Sequence, residues 1–312
     1  ILLQYCSFLN SLPTDATIKI TINNRKLNLK EFRHKLMLTS KKDNLDDYRA
    51  EYNRMLQEKA AATQNMTQEK YITVAINKKT IEEARAAFIR IEADLISNLS
   101  RLSSNVTAMG NIERLKLLHD FFRPNDEPDI NIDLKQIMRH GHNFKDYICS
   151  DSIMFKSDYF EIDEKVGRVL FMKEYATFID DGMIAKLTDI SKNMMLSIDI
   201  LPIPTEEALK EIQNKMLAVE TDITRWQRKQ NENYNFSAMI PYEMRQMREE
   251  SEEFLDDLTT KDERMMFALV TIVHTADDID QLNADTESLV SMVKSKFSNL
   301  SVLRWQQEDG LN

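Results

Sequence analysis

The feature that most constrains the fold is a strand–helix–strand order that occurs near both ends of the chain. Near the C-terminus, the apolar run "MMFALVTIV" precedes an amphipathic helical pattern over 279–300 and the short strand "SVLRWQ". Near the N-terminus, the strand "YITVAI" precedes a helical pattern over 80–102 and the stretch "SNVTAM". Strand-like and helix-like periodicities that alternate in this way predict an α+β fold.

The two helices also share the spacing of their apolar residues, which indicates an internal repeat. Adding 198 to seven apolar positions of helix 80–102 gives seven positions of helix 279–300, and only Thr286 among them is polar. Both helices follow a Thr that stands three residues before an acid, Thr80 and Thr275, which is the spacing of a capping box. The alternative is that two unrelated amphipathic helices have been aligned by chance.

The repeat predicts two ferredoxin-like (split βαβ) units with antiparallel sheets and long inserted helices. The first unit would cover residues 1–123 and would be truncated on its N-terminal side, because the chain starts inside a helix. Residues 124–167, which contain proline and several acids, predict a linker. The second unit would cover residues 168–312. Only five glycines and six prolines occur in 312 residues, which favours long regular elements.

One of the inserted helices carries the candidate protein interface. Thr205 stands at its predicted N-cap, and apolar residues then recur at steps of three and four as far as Trp226. A helix of about 25 residues is about 37 Å long, against about 17–20 Å for a typical strand, so its last turns should project beyond the sheet. An exposed Trp beside Arg is typical of interaction hot spots. The candidate interface residues are Arg225, Trp226, Arg228 and Lys229. The alternative is that Trp226 packs on a second charged helix over 242–264.

Charge is distributed unevenly along the chain. Residues 1–150 carry 23 basic and 19 acidic side chains, whereas residues 151–312 carry 18 and 32. A nucleic-acid-binding surface is normally a basic patch, so no direct nucleic-acid binding is expected. The longest apolar run is about half the length that spans a bilayer, so no transmembrane segment is predicted. The two cysteines, Cys6 and Cys149, are far apart, which fits a reducing compartment.

No catalytic, cofactor-binding or metal-binding residue is predicted. The sequence contains no G-x-x-x-x-G-K-[ST] phosphate loop and no G-x-S-x-G nucleophile elbow. His140, His142 and Cys149 lack a fourth ligand and the standard spacing of a zinc site. Three acidic doublets, at 180–181, 256–257 and 277–278, are interpreted as helix starts and a charged helix face. An enzyme that uses these doublets as a carboxylate pair is the minority alternative.

Several stretches closely resemble the N-terminal region of the conjugative-transfer ATPases of type IV secretion systems. They include "RVLFMKEYATFIDDGMIAKLTDIS", "LSIDILPIPTEEALKEIQNKMLAVETDITRWQRKQNENYNF" and "LRWQQEDGLN". The family is of the VirB/TraC/TrbE type, and the nearest subgroup is that of Gram-positive mobile elements. In that family, a stretch like the last one is followed by further residues and then an ATPase motor with Walker motifs. The family's catalytic residues match no position in this chain.

The resemblance implies a docking and oligomerisation domain. In this interpretation the chain attaches the motor to inner-membrane subunits of the secretion channel, and the parent protein self-associates. ATP and Mg²⁺ would be bound by a motor domain expected after residue 312. The location implied is cytoplasmic and peripheral, at the inner face of the cell membrane. The alternative is a free-standing scaffold or binding module of the transfer apparatus that has no motor.

Overall fold

The computed structural model describes most of the chain. The described residues are 7–11, 13–26, 36–62, 66–123, 139, 141–176, 182–190, 192–235, 239–261, 263–296 and 298–311.

The described elements alternate between strands and helices, as the sequence periodicity predicts. In chain order they are β1 (Ala16–Lys26), α1 (Asp46–Ala62), β2 (Met66–Ile76), α2 (Ile81–Arg101), α3 (Asn111–Phe122), a 3-10 turn (Phe144–Tyr147), β3 (Ile153–Phe155), β4 (Phe160–Ile162), β5 (Lys165–Glu174), α4 (Gly182–Thr188), β6 (Met194–Pro202), α5 (Thr205–Glu232), α6 (Tyr242–Thr259), β7 (Met266–Ala276), α7 (Ile279–Lys294), β8 (Asn299–Val302) and α8 (Gln307–Leu311).

The eight strands form one sheet in the order β2-β1-β6-β7-β5-β4-β3, with β8 paired to β5. Strand β5 pairs antiparallel with β7 along one edge. Its other edge is shared, because β4 pairs with residues 165–167 and β8 with residues 170–174. The α+β prediction is therefore confirmed, with an antiparallel arrangement at each of these pairings.

The chain divides into two compact units. Unit 1 contains Ile1–Ile18, Val74–Thr107 and Asp199–Ala268, and unit 2 contains Lys19–Thr73, Ala108–Ile198 and Leu269–Asn312. Both units take segments from both halves of the sequence, which differs from the predicted division into 1–123 and 168–312.

The core of unit 2 lies on both faces of its strands. On one face, Leu170 of β5 and Ile272 of β7 pack with α4 and α7 through side chains such as Leu187 and Leu289, all fully buried. On the other face, Phe160 and Val169 pack with side chains of α3 and α8. Alternate residues of β5 thus serve opposite faces, as the two-residue period of a strand requires.

The core of unit 1 is built on the helix pair α5 and α6. Ala208 and Ile212 of α5 are buried against Leu258 of α6 and Ile203. Arg248 of α6 donates to Glu220 of α5 at 2.9 Å, so the two helices are in contact along several turns. The apolar stripe that begins at Leu209 in the sequence is therefore the packing face of α5.

Of the three threonines predicted to cap helices, one occupies the N-cap position. Thr80 is the N-cap of α2, as predicted, and its side chain accepts from the backbone N–H of Glu83 at 3.2 Å. Thr205 is instead the first residue of α5, because Pro204 occupies the N-cap position. Asp278, not Thr275, caps α7, and its carboxylate accepts from the N–H of Gln281 at 2.8 Å.

Several helices and the last strand are shorter than predicted. Helix α7 ends at Lys294 rather than 300, since Leu300 belongs to β8, where it pairs with Met172. Helix α6 ends at Thr259 rather than 264, and α4 is shorter than the predicted 181–193. The final strand ends at Val302, before Trp305.

The predicted repeat and the predicted linker also differ from the structure. The stretch 104–109 forms no strand, so the first half lacks, among its described residues, the closing strand of the proposed repeat. Strands β1 and β2 belong to the same eight-stranded sheet as the later strands rather than to a sheet of their own. The predicted linker 124–167 contains β3, β4 and the start of β5, whose short runs carry too few residues for a periodic signal.

Candidate functional site

The C-terminal stretch is built into the edge of the central strand β5. Beyond β8, Leu303 still donates its backbone N–H to Val169 at 3.1 Å. Beyond that point β4 occupies the same edge of β5, so the chain has to leave the sheet. The turn 304–306 is where it leaves, and the backbone N–H of Trp305 donates to Ser157 at 2.6 Å.

Beyond the end of β8, the side chain of Gln307 makes hydrogen bonds to the backbone at the edge of β5. Its Oε1 accepts from the backbone N–H of Val169 at 2.8 Å, and its Nε2 donates to the carbonyls of Val169 and Leu303. The side chain is 1% exposed. A carboxamide offers both a donor and an acceptor, so it replaces a backbone partner on a strand edge. A Cβ at Gly310 would clash with Leu303 and Val169. The glycine therefore allows α8 to pack closely against the sheet.

Trp305 projects from this anchored turn. It is 83% exposed and has φ +62°, a left-handed conformation that is rare for a bulky side chain. Such a conformation costs about 1–3 kcal/mol and persists only where the surroundings impose it. The hydrogen bonds of Leu303, Trp305 and Gln307 impose it here. Arg304, its neighbour, is also exposed. The turn therefore displays an indole and a guanidinium on a rigid support.

The predicted interface residues lie on α5, in unit 1. Arg225, Arg228 and Lys229 are exposed, as expected, and Arg225 is 3.4 Å from Asp222 one turn earlier. Trp226 is half-buried. This exposure decides neither for contact with a partner nor for packing within the chain. Helix α5 has 28 residues, about 42 Å at 1.5 Å per residue, so it is even longer than predicted. The structure does not bring this cluster into the same unit as Trp305.

A buried polar network lies under α7. Arg168 of β5 donates to the hydroxyl of Thr286 at 2.8 Å and to Asn283 at 3.0 Å. His274 Nε2 lies 3.1 Å from the same hydroxyl, which itself donates to the carbonyl of Leu282 at 2.8 Å. Because that donation uses the only hydroxyl hydrogen, Nε2 of His274 carries the proton and donates.

The charge state of His274 follows from this geometry. The side chain is 2% exposed, and its Nδ1 has no partner among the described residues. Burial, and then the adjacent Arg168, lower the pKa of His274 to about 4, so it is neutral at pH 7. Burial also lowers the pKa of Arg168. Thr286, which breaks the apolar stripe of the sequence, is the residue that joins them.

A cleft of about 50 Å³ opens on the other face of unit 2. Its apolar walls come from α3, β4, β5, β6 and β7, and include Leu117, Phe121, Phe160, Ile162, Val166, Met194, Met195 and Val273. Its polar lining consists of Asn23, Arg25, Asp120, Lys165, Asn193 and Thr275. An apolar cleft with a few converging polar groups has the composition of a ligand-binding site. The sequence analysis did not find it, because its residues come from five separate segments.

The remaining candidate groups have structural roles or lie outside the described residues. Asp256 accepts from Thr260, Asp257 pairs with Lys261 at 2.6 Å, and Asp277 lies 3.5 Å from Lys165. Cys149 is exposed, and His142 lies 3.5 Å from Asp146. His140, Cys6 and the doublet 180–181 lie outside the described part of the chain. Within the described part, no group of His, Cys, Asp or Glu could hold a metal ion.

Comparisons with known proteins do not assign the chain to a family. No family model matches the chain, and no curated protein matches it. Among the helices that the structure describes, none is long and apolar enough to cross a bilayer.

Proposed function

We propose that this chain is the N-terminal docking and oligomerisation domain of a conjugative-transfer ATPase of a type IV secretion system. In this role it attaches a motor to inner-membrane subunits of the channel that transfers DNA. It works at the cytoplasmic face of the membrane as a peripheral domain, and its partners are proteins rather than nucleic acid. ATP and Mg²⁺ are bound by the motor, not by this chain.

The observation that carries the proposal is the exposed, rigidly held Trp305. It lies in "LRWQQEDGLN", one of the stretches in the second half of the chain that carry the resemblance. Trp and Arg are among the residues most enriched at the hot spots of protein interfaces. A strained backbone at that residue is kept at a cost in stability, which a protein-binding role explains. Because Gln307 fixes the turn to β5, a domain that follows it in a longer protein would be held to the sheet.

The exposed basic side chains of α5 supply a second protein-facing surface. Arg225, Arg228 and Lys229 form a positive cluster within an acidic half of the chain. In the proposed assembly this surface contacts another subunit, with Trp226 at its border.

The proposal also includes a finer fold assignment for the second half. The strand order β8-β5-β7-β6, with α4 between β5 and β6 and α7 between β7 and β8, is that of a split βαβ unit. Helices α5 and α6 are the insertion between its second and third strands.

The experiment that tests the motor-docking role is the sequence of the native gene beyond the codon for Asn312. A Walker A motif downstream in the same reading frame is the expected result, and a gene that ends without one leaves the free-standing scaffold. Calorimetry on the chain itself complements this, with no ATP–Mg²⁺ binding expected. A single site of about micromolar affinity, about −8 kcal/mol, would contradict the assignment of nucleotide binding to the motor alone.

A further inference from the structure

The cleft of unit 2 contains a buried side chain whose hydrogen-bonding groups are not used. Asn23 of β1 is 8% exposed, yet it makes no side-chain hydrogen bond to the described residues. Its neighbour Asn24, on the opposite face of the strand, donates to the carbonyls of Thr188 and Ile190 and accepts from Gln68. The carboxamide of Asn23 faces the cleft, so its donor and its acceptor are available to a group that enters there.

The charged groups around Asn23, in contrast, are already paired. Arg25 makes a two-point contact with Glu69 at 2.9 and 3.1 Å and a third hydrogen bond to Asp120 at 3.1 Å. Lys165 is 3.5 Å from Asp277. Two cations therefore face three carboxylates, which leaves no positive charge for an anionic ligand. A cationic ligand would have to compete with Arg25 for both of its acids.

The groups left for a ligand are uncharged. Besides Asn23, they are the hydroxyl of Thr275 and the Oδ1 of Asn193, whose Nδ2 donates to that hydroxyl at 3.0 Å. The walls are aromatic and aliphatic. At about 10–15 Å³ for one water, a cleft of about 50 Å³ has room for a group of only a few heavy atoms.

We propose that this cleft binds an uncharged carboxamide group carried on a short apolar stem. The carboxamide of the ligand donates to and accepts from Asn23, as two amides do when they pair side by side. Its stem lies on Phe121 and Phe160. The group belongs either to a small free amide or to a Gln or Asn side chain of a partner peptide. The inference does not depend on the proposed role in secretion.

Methionine methyl resonances report on the cleft directly. Met195 lines it and packs against the cluster that contains Phe160 and Val273, whereas Met172 and Met194 lie together in the core on the opposite face of the sheet. In the chain labelled at methionine methyl groups, propionamide is expected to shift the Met195 methyl resonance in a saturable way and to leave that of Met172 unmoved. With five heavy atoms, its dissociation constant is expected in the millimolar range. Propionate and propylamine, of matched size but charged, are expected to give no saturable shift.

Substitutions separate binding from folding. Asn23→Leu is expected to raise the dissociation constant for propionamide at least tenfold without lowering the melting temperature, because the amide it removes makes no hydrogen bond to the described residues. Thr275→Val, which has nearly the same shape, is also expected to weaken the binding of propionamide. It provides the test if Asn23→Leu does not fold. If Met195 does not respond to propionamide, or responds equally to propionate, the cleft holds water only and the proposal is overturned.

Capped peptides then identify the source of the amide. A tripeptide with a central Gln that binds at least tenfold more tightly than propionamide supports a partner peptide, with the same tripeptide carrying Glu as its control. Equal affinities of the Gln tripeptide and propionamide support a free small amide. Binding of the Glu tripeptide as tightly as the Gln tripeptide would overturn the selection for an uncharged group.

Discussion

The side-chain Oε1 of Gln307 accepts the backbone N–H of Val169 at 2.8 Å, at the point where β8 ends and β4 has not yet begun to pair with β5. Two different segments use the same edge of one strand, and a side-chain amide fills the gap between them. The gap is also where the chain turns outward at Trp305. The exposed indole and the buried carboxamide are thus two consequences of one arrangement.

Replacing Gln307 is expected to destabilise the fold. In Gln307→Leu, the N–H of Val169 and the carbonyl of Leu303 lose their partner inside the protein, which costs about 2–4 kcal/mol in unfolding free energy. Urea denaturation of the whole chain, followed by circular dichroism, measures this. Gln306→Leu is the matched control, because Gln306 is exposed and its loss is expected to change stability by less than about 0.5 kcal/mol. Equal effects of the two variants would show that the carboxamide does not support the edge of β5.

His274 is expected to make the fold sensitive to acid. Its pKa is about 4 in the folded chain and about 6.5 when unfolded, so the unfolded chain binds more protons between these values. Stability is therefore fully present above about pH 6.5 and is lost as the pH falls towards 4. Between pH 7 and 5 the loss from this group is about 2 kcal/mol.

The test compares the pH dependence of stability in the wild type and in His274→Phe. Phe does not titrate, so the difference in unfolding free energy between the two proteins isolates His274 from the carboxylates. We expect the wild type to lose about 2 kcal/mol more than the variant between pH 7 and 5. Parallel pH profiles would mean that His274 titrates alike in the folded and unfolded chain.

Gly167 is expected to tolerate no side chain. A Cβ at this residue of β5 would clash with the ring of Phe160, which is fully buried and faces Gly167 across the β4–β5 pair. Overpacking of this kind costs about 1–3 kcal/mol. Thermal unfolding of Gly167→Ala should show the loss, whereas Gly110→Ala, with its nearest contact at 3.6 Å, should unfold close to the wild type. A variant Gly167→Ala as stable as Gly110→Ala would contradict the tight β4–β5 contact.

The sequence was most informative where a local pattern dictates structure. The apolar run 265–273 and the cap at Thr80 predicted β7 and the start of α2, because both depend on neighbours in the chain. Thr286 entered the sequence analysis only as the one polar exception in the apolar pattern of the repeat, and its hydrogen bonds were not predicted. Its partners could not be named, because Arg168 is 118 residues away in sequence and His274 lies on a different element, β7.

The rest depends on long-range pairing that no local pattern encodes. Strands β3 and β4 have three residues each, too short for a period of two to be recognised. The boundary between α7 and β8 was missed because Leu300 fits both the helical stripe and the strand that replaces it. The unpaired state of Asn23 depends on what surrounds it in space, and "NN" in a strand gives no indication of which side chain is satisfied.

The transfer frequency of a conjugative element that carries Trp305→Ala in its full-length ATPase gene tests the docking claim most directly. Trp305 is 83% exposed, so the melting temperature of the purified chain is expected to stay the same. Loss of a Trp hot spot weakens an interface by about 2 kcal/mol or more, so transfer is expected to fall roughly tenfold or further. Transfer at the wild-type frequency, with the protein present at normal levels, would contradict the claim that this turn docks the ATPase onto its partner.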